Sequence, residues 1–534
     1  MFIYLSFRRN RAINPEQNKW IIYSDSIKID SDGETVQFQL KNEATGKSFS
    51  ATLSSLLSGQ AFRLRVEEPN SVKERFDAEQ LVLMPNLKKS KVTIKDQSAD
   101  AFTLEVNDDV NKQKNKLVVT ANPFRIDVYS GNDLVIVGNQ QGLFNFEHNR
   151  AKPQGLLKKA FYYLAKWFVS KAESETDESC TESCWEENFK GNTDSKPNGP
   201  MSVGMDFTFV GFKHVYGIPS HADSFSLKNT KGTSDPYRLY NVDIFEYELY
   251  NPMSLYGAYP LMVAHSTSPK TVGLFWLNPS ETWIDIESSN SGITGLLSNL
   301  VSDQKPNKLT HWISETGIID VFFLLGPSVS QVMMQNAQLL GTTQLPPIYS
   351  IGYHQCRWNY FSVEEVMDVD NKADIYDIPL DSIWLDVEYT DGRSKKYFTW
   401  DPITFKDHEA MIRNLTSKGR RLIAIIDPHL KKDSNYPVYQ EALSNGYLTK
   451  DSKDDKEFEG WCWPGSSGWG DFLNPAVRDW WGDKFDPKYF PGCENCLVDI
   501  WNDMNEPSVF NGPEITAPRD MRVRIFFLSY FYSL

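Results

Sequence analysis

Acidic side chains directly follow three short apolar runs in the C-terminal half of the chain. These are Asp386 and Glu388 after residues 382–385, Asp427 with His429 after residues 422–426, and Asp503 with Glu506 after residues 497–500. Carboxyl groups gathered at one edge of a sheet can supply the nucleophile and the acid that glycoside hydrolysis requires. A single aspartate at such a position more often caps a turn, but nearby tryptophans favour a sugar-binding site. They are Trp358, Trp384, Trp463 and Trp501.

Composition excludes several other classes of ligand. The chain has a formal net charge of −15, so it lacks the excess of Lys and Arg that binding to a nucleic-acid backbone needs. No apolar run reaches the ~18 residues that cross a bilayer. Residues 1–7 are apolar, but they are too short for a signal-peptide core of ~7–15 residues with its cleavage site. We therefore expect neither nucleic acid nor membrane among the partners.

One cysteine pair has the spacing of a metal-binding knuckle. Cys493 and Cys496 are separated by two residues, but no second pair of Cys or His accompanies them. A structural zinc site takes about four such ligands, so a disulfide and two free thiols are both better interpretations than zinc. We predict that the protein uses no metal.

Composition and periodicity divide the chain into five segments. Residues 1–150 and 201–345 alternate apolar and polar side chains, which predicts an antiparallel β-sandwich in two parts. Residues 151–200 combine an amphipathic helix with a run of Glu, Asp, Ser and Thr that we interpret as an acidic, disordered linker. Residues 346–516 contain the acidic pairs, and residues 517–534 form an aberrant apolar tail.

The segment with the acidic pairs alternates strand-like and helix-like stretches. Its apolar runs cover residues 349–353, 382–385, 422–426 and 497–500, with helix-like periodicity over residues 363–372 and 408–418. Alternating strands and helices with continuous apolar strands predict a parallel sheet covered on both faces. Functional residues just past each strand end are typical of a (β/α)8 TIM barrel, which needs about eight strands. We therefore predict such a barrel, truncated after about four β/α units.

Several motifs resemble those of glycoside hydrolase family 31. The stretch Trp501-Asn-Asp-Met-Asn-Glu-Pro-Ser508 is similar to the family's nucleophile signature and is long enough to be very specific. Other stretches match barrel and β-sandwich motifs of the family. They are residues 354–360, 383–388, 425–429, 461–465, 471–475, 214–219, 237–243 and 314–320. Within the family, the amino-acid sequences of these motifs are most similar to the glucosidase II branch.

The resemblance implies roles for individual residues. Asp503 matches the nucleophile that forms a covalent glucosyl ester, and Glu506 is a supporting carboxylate close to it. Asp386 matches the carboxylate that binds hydroxyl groups of the non-reducing glucose, a role that suits an acceptor-only side chain. The matching pocket walls are Trp358, Ile425, Trp463, Trp501 and Met504, and the β-domain loop residue that reaches over the barrel mouth is Asp243.

The resemblance also implies a function. It indicates a retaining α-glucosidase that removes terminal α-linked glucose by double displacement, without a metal or a cofactor. The glucosidase II branch trims α-1,3-linked glucose from N-glycans in the endoplasmic reticulum lumen and works with a lectin-like β subunit. A glucosylated N-glycan oligosaccharide and such a subunit are therefore the expected partners. Two alternatives stay open: a cytosolic or lysosomal α-1,4-glucosidase, and a non-catalytic, sugar-binding or dominant-negative fragment.

Two departures from the family pattern modify these expectations. In the family, the acid/base Asp lies several dozen residues beyond the nucleophile motif, whereas this sequence leaves the pattern after Thr516 and stops at Leu534. The family's signal peptide and first cysteine-bearing segment are also absent, since residues 7–12 resemble sequence from inside the mature protein. We therefore expect residues 1–534 alone to be catalytically inactive and, without a signal peptide, cytoplasmic.

Overall fold

The protein is described by a computed structural model that covers residues 5–152, 182–189, 191–244, 246–266, 270–289 and 306–523. The chain divides into two compact units, residues 1–342 and 343–534, close to the predicted boundary after residue 345. Among the described residues, no helix combines the length and the apolar composition that crossing a bilayer requires. The predicted amphipathic helix near residues 156–168 lies outside the described ranges.

The first unit is built mainly from antiparallel strands. They are β1 (Trp20–Ile22), β2 (Lys28–Ile29), β3 (Thr35–Asn42), β4 (Ser48–Leu56), β5 (Ala61–Glu67), β6 (Lys89–Ser90), β7 (Thr93–Lys95), β8 (Ala101–Asp108), β9 (Gln113–Ala121), β10 (Phe124–Ser130), β11 (Asp133–Gly138), β12 (Asn145–Phe146), β13 (Glu186–Phe189), β14 (Asn192–Ser195), β15 (Val203–Val210), β16 (His214–Gly217), β17 (Tyr237–Leu239), β18 (Leu261–Ser266), β19 (Lys270–Trp276), β20 (Thr282–Ser288), β21 (Asn307–Ser314) and β22 (Ile319–Leu324).

Within the described ranges, two large sheets of ten strands each make up this unit. The first sheet has the order β1-β3-β4-β5-β22-β19-β18-β16, with β2 beside β3 and β6 beside β4. The second sheet has the order β17-β20-β21-β15-β11-β10-β9-β8-β7, with β12 beside β15. Because β5 pairs with β22 and β11 with β15, sequence from both sides of the acidic segment contributes to each sheet. The predicted antiparallel β-sandwich is confirmed.

Alternation along the strands separates a buried face from an exposed face. In β3, Val36, Phe38 and Leu40 are buried, whereas Gln37 and Gln39 are exposed, as the period of two in a strand requires. The buried faces of the two sheets share one hydrophobic core. Each fully buried Phe or Leu in this core contributes ~1.5–3 kcal/mol relative to an exposed one.

Three of the described helices begin after a residue whose side chain caps them. The described helices are α1 (Leu5–Arg11), α2 (Glu79–Val82), α3 (Val329–Leu340), α4 (Val363–Ile375), α5 (His408–Ser417), α6 (Pro437–Ser444) and α7 (Pro475–Asp483). The capped helices are α3, α4 and α7. Before α3, the Ser328 hydroxyl accepts from the Gln331 N–H, and the Gln331 side chain accepts from the Ser328 N–H. This capping box satisfies two of the free donors at the helix start. The helices α4 and α5 correspond to the predicted helix-like stretches at 363–372 and 408–418.

The end of the predicted linker is ordered. β13 and β14 pair as an antiparallel hairpin, and Glu187 within it is buried. Its carboxylate forms an ion pair with Lys196. The prediction of a disordered linker is therefore wrong for residues 186–189 and 192–195. An acidic composition suggests solvation, but a buried carboxylate is tolerated where a cation pairs with it.

The second unit contains a parallel sheet, as predicted, and the strands that form it pair in chain order. Its strands are β23 (His354–Arg357), β24 (Ser382–Leu385), β25 (Arg421–Ile426) and β29 (Val498–Asn502), and a small antiparallel sheet joins β26 (His429–Lys431), β28 (Gly465–Trp469) and β27 (Gly460–Cys462). Within the described residues these four parallel strands form an open sheet. Closure into a (β/α)8 barrel and its truncation therefore stay predictions.

The first parallel strand begins later than the apolar run that predicts it. Residues Ile348–Ile351 form a 3-10 helix, and Ile348 and Ile351 are 82% and 74% exposed. The preceding Pro347 has φ −59°, the value that its ring imposes and that suits a turn. The predicted strand at 349–353 is thus wrong, because apolar residue types alone do not establish burial.

The loop before β29 is closed by a disulfide. Cys493 and Cys496 are bonded, which decides between the two interpretations of this pair. Cys493 is buried in the core of the second unit. The Leu497 N–H donates to Thr416 Oγ1 at 2.9 Å, so the chain is fixed directly before β29.

The start of the predicted tail packs onto the second unit. Met521 contacts the hydrophobic cluster around Met504. The backbones of Arg522 and Lys450 exchange two hydrogen bonds of 2.9 and 3.0 Å. The prediction of an aberrant tail is therefore wrong for residues 517–523, where backbone pairing, which residue types do not reveal, provides the order. The remainder of the tail lies outside the described residues.

Candidate active site

The parallel register brings four predicted site residues to one level of the sheet. β25 and β29 pair Ile425 with Trp501. Asp386 and Trp358 directly follow the last paired residues of β24 and β23 and continue the same row. Side chains at one level of neighbouring parallel strands point to the same face. Trp358, Asp386, Ile425 and Trp501 therefore form a strand-end row.

Asp503 starts the turn that follows β29. Its carbonyl oxygen accepts a hydrogen bond from Asn505 Nδ2 at 2.6 Å. The next residue, Met504, has φ +58°, a left-handed conformation that reverses the chain direction. The Met504 side chain is buried at 8% exposure among Phe458 and other apolar residues. A hydrogen bond and a buried anchor thus fix the backbone directly after the Asp503 side chain.

The Asp386 carboxyl is influenced by Asp503. Burial raises the pKa of Asp386, and the negative charges of Asp503 and Glu388 raise it further. A hydrogen bond of 2.7 Å from the Val387 N–H to Asp386 Oδ1 opposes this effect because it stabilises the carboxylate. The two predicted site carboxylates therefore lie close enough to repel each other.

A further carboxyl, that of Asp427, belongs to the same group. It is 0% exposed, and burial raises its pKa to about 7, with further contributions from the charges of Asp503, Asp386 and Glu506. Burial together with Asp427, Glu506 and Asp503 also raises the pKa of the Cys462 thiol to about 12. Asp386, Asp427, Asp503 and Glu506 thus form one carboxylate cluster. In the sequence, Asp427 follows a strand and lies in a stretch, residues 425–429, that resembles a family motif, but neither feature assigns it a role.

Exposed aromatic rings lie in the same unit. Trp358 and Trp463 are 62% and 44% exposed, and their ring centroids are 5.9 Å apart. Phe510 packs edge-on against Trp463 at 4.9 Å, a neighbour that sequence reasoning did not identify. Trp501 instead packs edge-on against Trp384 at 5.2 Å. Two flat apolar faces therefore remain open to a ligand, and Trp501 is supported from the side.

The remaining predicted residues have different surroundings. Ile425 is buried, and its carbonyl oxygen accepts from the Tyr389 hydroxyl at 2.8 Å. Asp243 lies in the first unit, where its Oδ1 accepts from the Tyr256 hydroxyl at 2.5 Å. Its reach over the barrel mouth stays a prediction.

One acidic group elsewhere has the spacing of metal ligands. Among the described residues, Asp77, Glu79 and Asp320 in the first unit are close enough together to hold an ion. Arg63 lies 2.6 Å from Asp320 and 2.9 Å from Glu79, and Arg65 lies 2.7 Å from Asp77. The two guanidinium groups already form ion pairs with all three carboxylates, so the group is a charge-paired element of the sandwich.

Two family descriptions match the chain. "Glycosyl hydrolases family 31 TIM-barrel domain" matches residues 343–526, and "Glycosyl hydrolase 31 N-terminal galactose mutarotase-like domain" matches residues 52–285. The first match continues past Thr516, in agreement with the packed residues 517–523. The family pattern thus extends further than the motifs indicate.

Individual relatives are similar over most of the chain. Neutral alpha-glucosidase AB of Homo sapiens is 43% identical over 530 residues, which are 96% of this chain and 54% of the relative. A probable glucan 1,3-alpha-glucosidase of Arabidopsis thaliana is 42% identical over 475 residues, 86% of this chain and 47% of the relative. A crystal structure also matches, that of an ER glucosidase II heterodimeric complex consisting of the catalytic subunit and the binding domain of the regulatory subunit. Its TM-score is 0.83 and its identity is 40%, over 98% of this chain and 56% of that chain. The protein therefore spans about half the length of the relatives that it matches.

Proposed function

Because this chain belongs to glycoside hydrolase family 31, we propose that it supplies the nucleophile and the glucose-binding carboxylate of a retaining α-glucosidase. One observation carries the proposal. Asp503 stands at the end of β29, electrostatically coupled to Asp386, whose row of strand-end residues includes Trp358 and Trp501. Carboxylates beside apolar and aromatic faces suit a substrate that has hydroxyl groups and C–H surfaces.

The reaction proceeds in two displacements. In the first, an Asp503 oxygen attacks C1 of the glucose, the C1–O bond to the aglycone breaks, and a general acid protonates the leaving oxygen. In the second, water attacks C1, loses its proton to the same group, and releases Asp503 as a carboxylate. Two inversions give glucose in the α configuration. We assign the general acid to no residue of this chain.

The other site residues bind and orient the sugar. Asp386, as a carboxylate, accepts hydrogen bonds from the glucose hydroxyl groups. Trp358 and Trp463 stack on its C–H faces, while Ile425 and Met504 close the apolar side. Glu506 is a supporting carboxylate that adds negative charge beside the nucleophile without reacting.

The substrate class and the partner follow from the relatives. The Arabidopsis thaliana relative is a probable glucan 1,3-alpha-glucosidase, and the matching crystal structure joins an ER glucosidase II catalytic subunit to a regulatory subunit. These names support α-1,3-linked glucose as the substrate linkage, a regulatory subunit as the partner, and the endoplasmic reticulum as the compartment. The family resemblance adds a glucosylated N-glycan as the natural oligosaccharide and a lectin-like character of the β subunit.

Trapping of the covalent intermediate tests the proposal. The reagent is 5-fluoro-α-D-glucosyl fluoride, whose fluoride leaves without an acid and whose ring fluorine slows release of the sugar. The peptide that contains Asp503 is expected to gain one fluoroglucosyl group, detected by mass spectrometry, and Asp503→Asn should remain unlabelled because an amide is not a nucleophile. A label on Glu506 or Asp386 contradicts the assignment of the nucleophile. The absence of any label from the folded chain contradicts the glucosidase function.

Loss of an aromatic face should weaken sugar binding. Trp358→Ala is expected to lower the affinity for 1-deoxynojirimycin, a glucose-configured iminosugar, by about tenfold, since an aromatic contact contributes ~0.5–1.5 kcal/mol beyond its buried area. Isothermal titration calorimetry measures the change. Trp461→Ala, which removes another exposed indole at 55% exposure, is the control and should bind normally. Equal losses in the two variants would show that Trp358 has no specific contact with the sugar.

A further inference from the structure

Asp427 has an environment that the proposed function does not use. Its side chain is 0% exposed at the end of β25. Oδ2 accepts a short hydrogen bond from the Tyr397 hydroxyl, while Oδ1 has no hydrogen-bond partner in the part of the chain that the structure describes. A fully buried carboxylate with one unpaired oxygen is very unfavourable, whereas a carboxylic acid is tolerated there.

Three buried tyrosines hold this end of β25 in place. The Tyr397 hydroxyl binds Asp427, the Tyr389 hydroxyl donates to the Ile425 carbonyl at 2.8 Å, and the Tyr436 hydroxyl donates to the Tyr397 carbonyl at 2.8 Å. All three rings are 0% exposed. The carboxyl of Asp427 therefore has a fixed position two residues beyond Ile425 of the strand-end row.

The neighbouring histidine is neutral and does not compensate a charge on Asp427. Burial lowers the pKa of His429 to about 3. Its Nε2 lies 3.3 Å from the Tyr397 oxygen and 3.6 Å from Asp427 Oδ2. Since the single Tyr397 proton is donated to Asp427, the proton of His429 is on Nε2, and this N–H donates to the Tyr397 oxygen.

The other groups that act on Asp427 are negative or uncharged. The carboxylates of Asp386 after β24 and of Asp503 and Glu506 after β29 all disfavour its ionisation. The buried thiol of Cys462 on β27 is protonated. The largest charge effects on Asp427 come from these carboxylates, so an ionised Asp427 would repel the proposed nucleophile.

We propose that Asp427 is a positioning residue of the carboxylate cluster, a role that rests on the proposed function: fixed by Tyr397, it enters the site as a neutral carboxylic acid and so leaves the negative charge of the cluster on Asp386, Asp503 and Glu506. A neutral acid can also donate a hydrogen bond from Oδ1, which a carboxylate cannot. Ionisation of Asp427 would add a like charge beside Asp503 and raise the proton affinity of that nucleophile.

The pH dependence of stability tests the protonation state without any sugar. A group with a raised pKa in the fold gives stability that is present below its unfolded pKa and is lost as the pH rises to the folded value. The wild type should therefore lose melting temperature relative to Asp427→Asn between about pH 4 and pH 7, and the difference should stay constant above pH 7. Asp427→Asn carries no titrating group at this position, so its own profile lacks this component.

Tyr397→Phe separates the proposed state from a simple packing role. Loss of the hydroxyl removes a hydrogen bond that favours the ionised form of Asp427. The pH above which the melting-temperature difference from Asp427→Asn stays constant (the plateau) should therefore be higher than in the wild type. Tyr436→Phe, the control, removes a buried hydroxyl that binds a backbone carbonyl and should lower the melting temperature without moving the plateau. If Asp427→Asn does not fold, a comparison of Tyr397→Phe with the wild type still decides. A difference between the wild type and Asp427→Asn that does not vary with pH, or an unchanged plateau in Tyr397→Phe, would overturn the proposal.

Labelling by the fluoroglucosyl fluoride links this state to the nucleophile. The rate of labelling in the wild type should fall about tenfold per pH unit above pH 7, as the neutral form of Asp427 disappears, whereas the rate in Asp427→Asn, whatever its value at pH 7, should show no such fall. Equal profiles in the two proteins would contradict the positioning role. If neither protein is labelled but the melting profiles differ as expected, Asp427 is neutral and the proposed glucosidase function fails instead.

Discussion

Asp503→Asn is expected to reduce the first-turnover release of fluoride from α-glucosyl fluoride, a step that needs no general acid, by about 10⁴-fold or more, a loss similar in scale to removal of the nucleophile in other covalent hydrolases. The amide cannot attack C1, while the Met504 anchor and the strand-end row remain unchanged. Sugar affinity should therefore persist. The substrate is chosen because fluoride departs without protonation, so the first-turnover release of fluoride, measured with a fluoride electrode, reports on attack by the nucleophile and not on the general acid.

Asp499→Asn is the matched control for this experiment. Asp499 lies on the same strand and forms an ion pair of 2.8 Å with Arg421, away from the carboxylate cluster. Its loss should change the rate by less than about threefold, because a partly exposed pair contributes little. In Asp503→Gly, added azide should attack C1 once and give the β-glucosyl azide. A rate in Asp503→Asn close to that of Asp499→Asn would remove Asp503 from the mechanism.

The strand ends of the second unit could be predicted because the signal is local. β24, β25 and β29 consist mainly of apolar residues, with Asp499 as a charged exception in β29, and parallel pairing brings their carboxyl ends to one edge. Asp386 and Asp503 therefore follow from position alone. The family resemblance then supplied the roles that position cannot give.

The state of Asp427 could not be predicted in the same way. It depends on Tyr397, a residue 30 positions earlier in the chain, and on burial from several sides. Phe510 was missed for a similar reason, since its contact with Trp463 joins two separate loops. The order of residues in the sequence shows periodicity, but it does not show which distant residues become neighbours in the fold. Those neighbours set the pKa of Asp427 and add Phe510 to the aromatic surface.

The errors in the fold have the same origin. Ile348 and Ile351 are apolar but exposed in a turn after Pro347, and Glu187 is acidic but buried beside Lys196. In both cases the residue type indicates one environment and the tertiary structure provides the other. Composition predicts burial on average and fails where a single partner or a single turn decides it.

Asp320→Ala is expected to lower the free energy of unfolding of the first unit by about 3–5 kcal/mol, the cost of breaking a buried ion pair. Asp320 is fully buried and lies 2.6 Å from Arg63, which is also largely buried. Burial outweighs the attraction of Arg63 and raises the pKa of Asp320, so the pair is costly to bury as well as costly to break. Urea unfolding of the full chain, followed by circular dichroism of the β-rich unit, measures the change.

Two further variants show whether the unpaired charge is the cause. Asp133→Ala breaks an exposed pair with Lys270 and should cost less than about 1 kcal/mol. The double variant Arg63→Met with Asp320→Leu removes both charges and fills the space with apolar groups, so most of the lost stability should return. If the double variant is as unstable as Asp320→Ala, the effect comes from packing or from the released Glu79 rather than from an unpaired guanidinium. A cost for Asp320→Ala no larger than that for Asp133→Ala would show that Glu79 alone compensates Arg63, and that Asp320 contributes little to the β-sandwich.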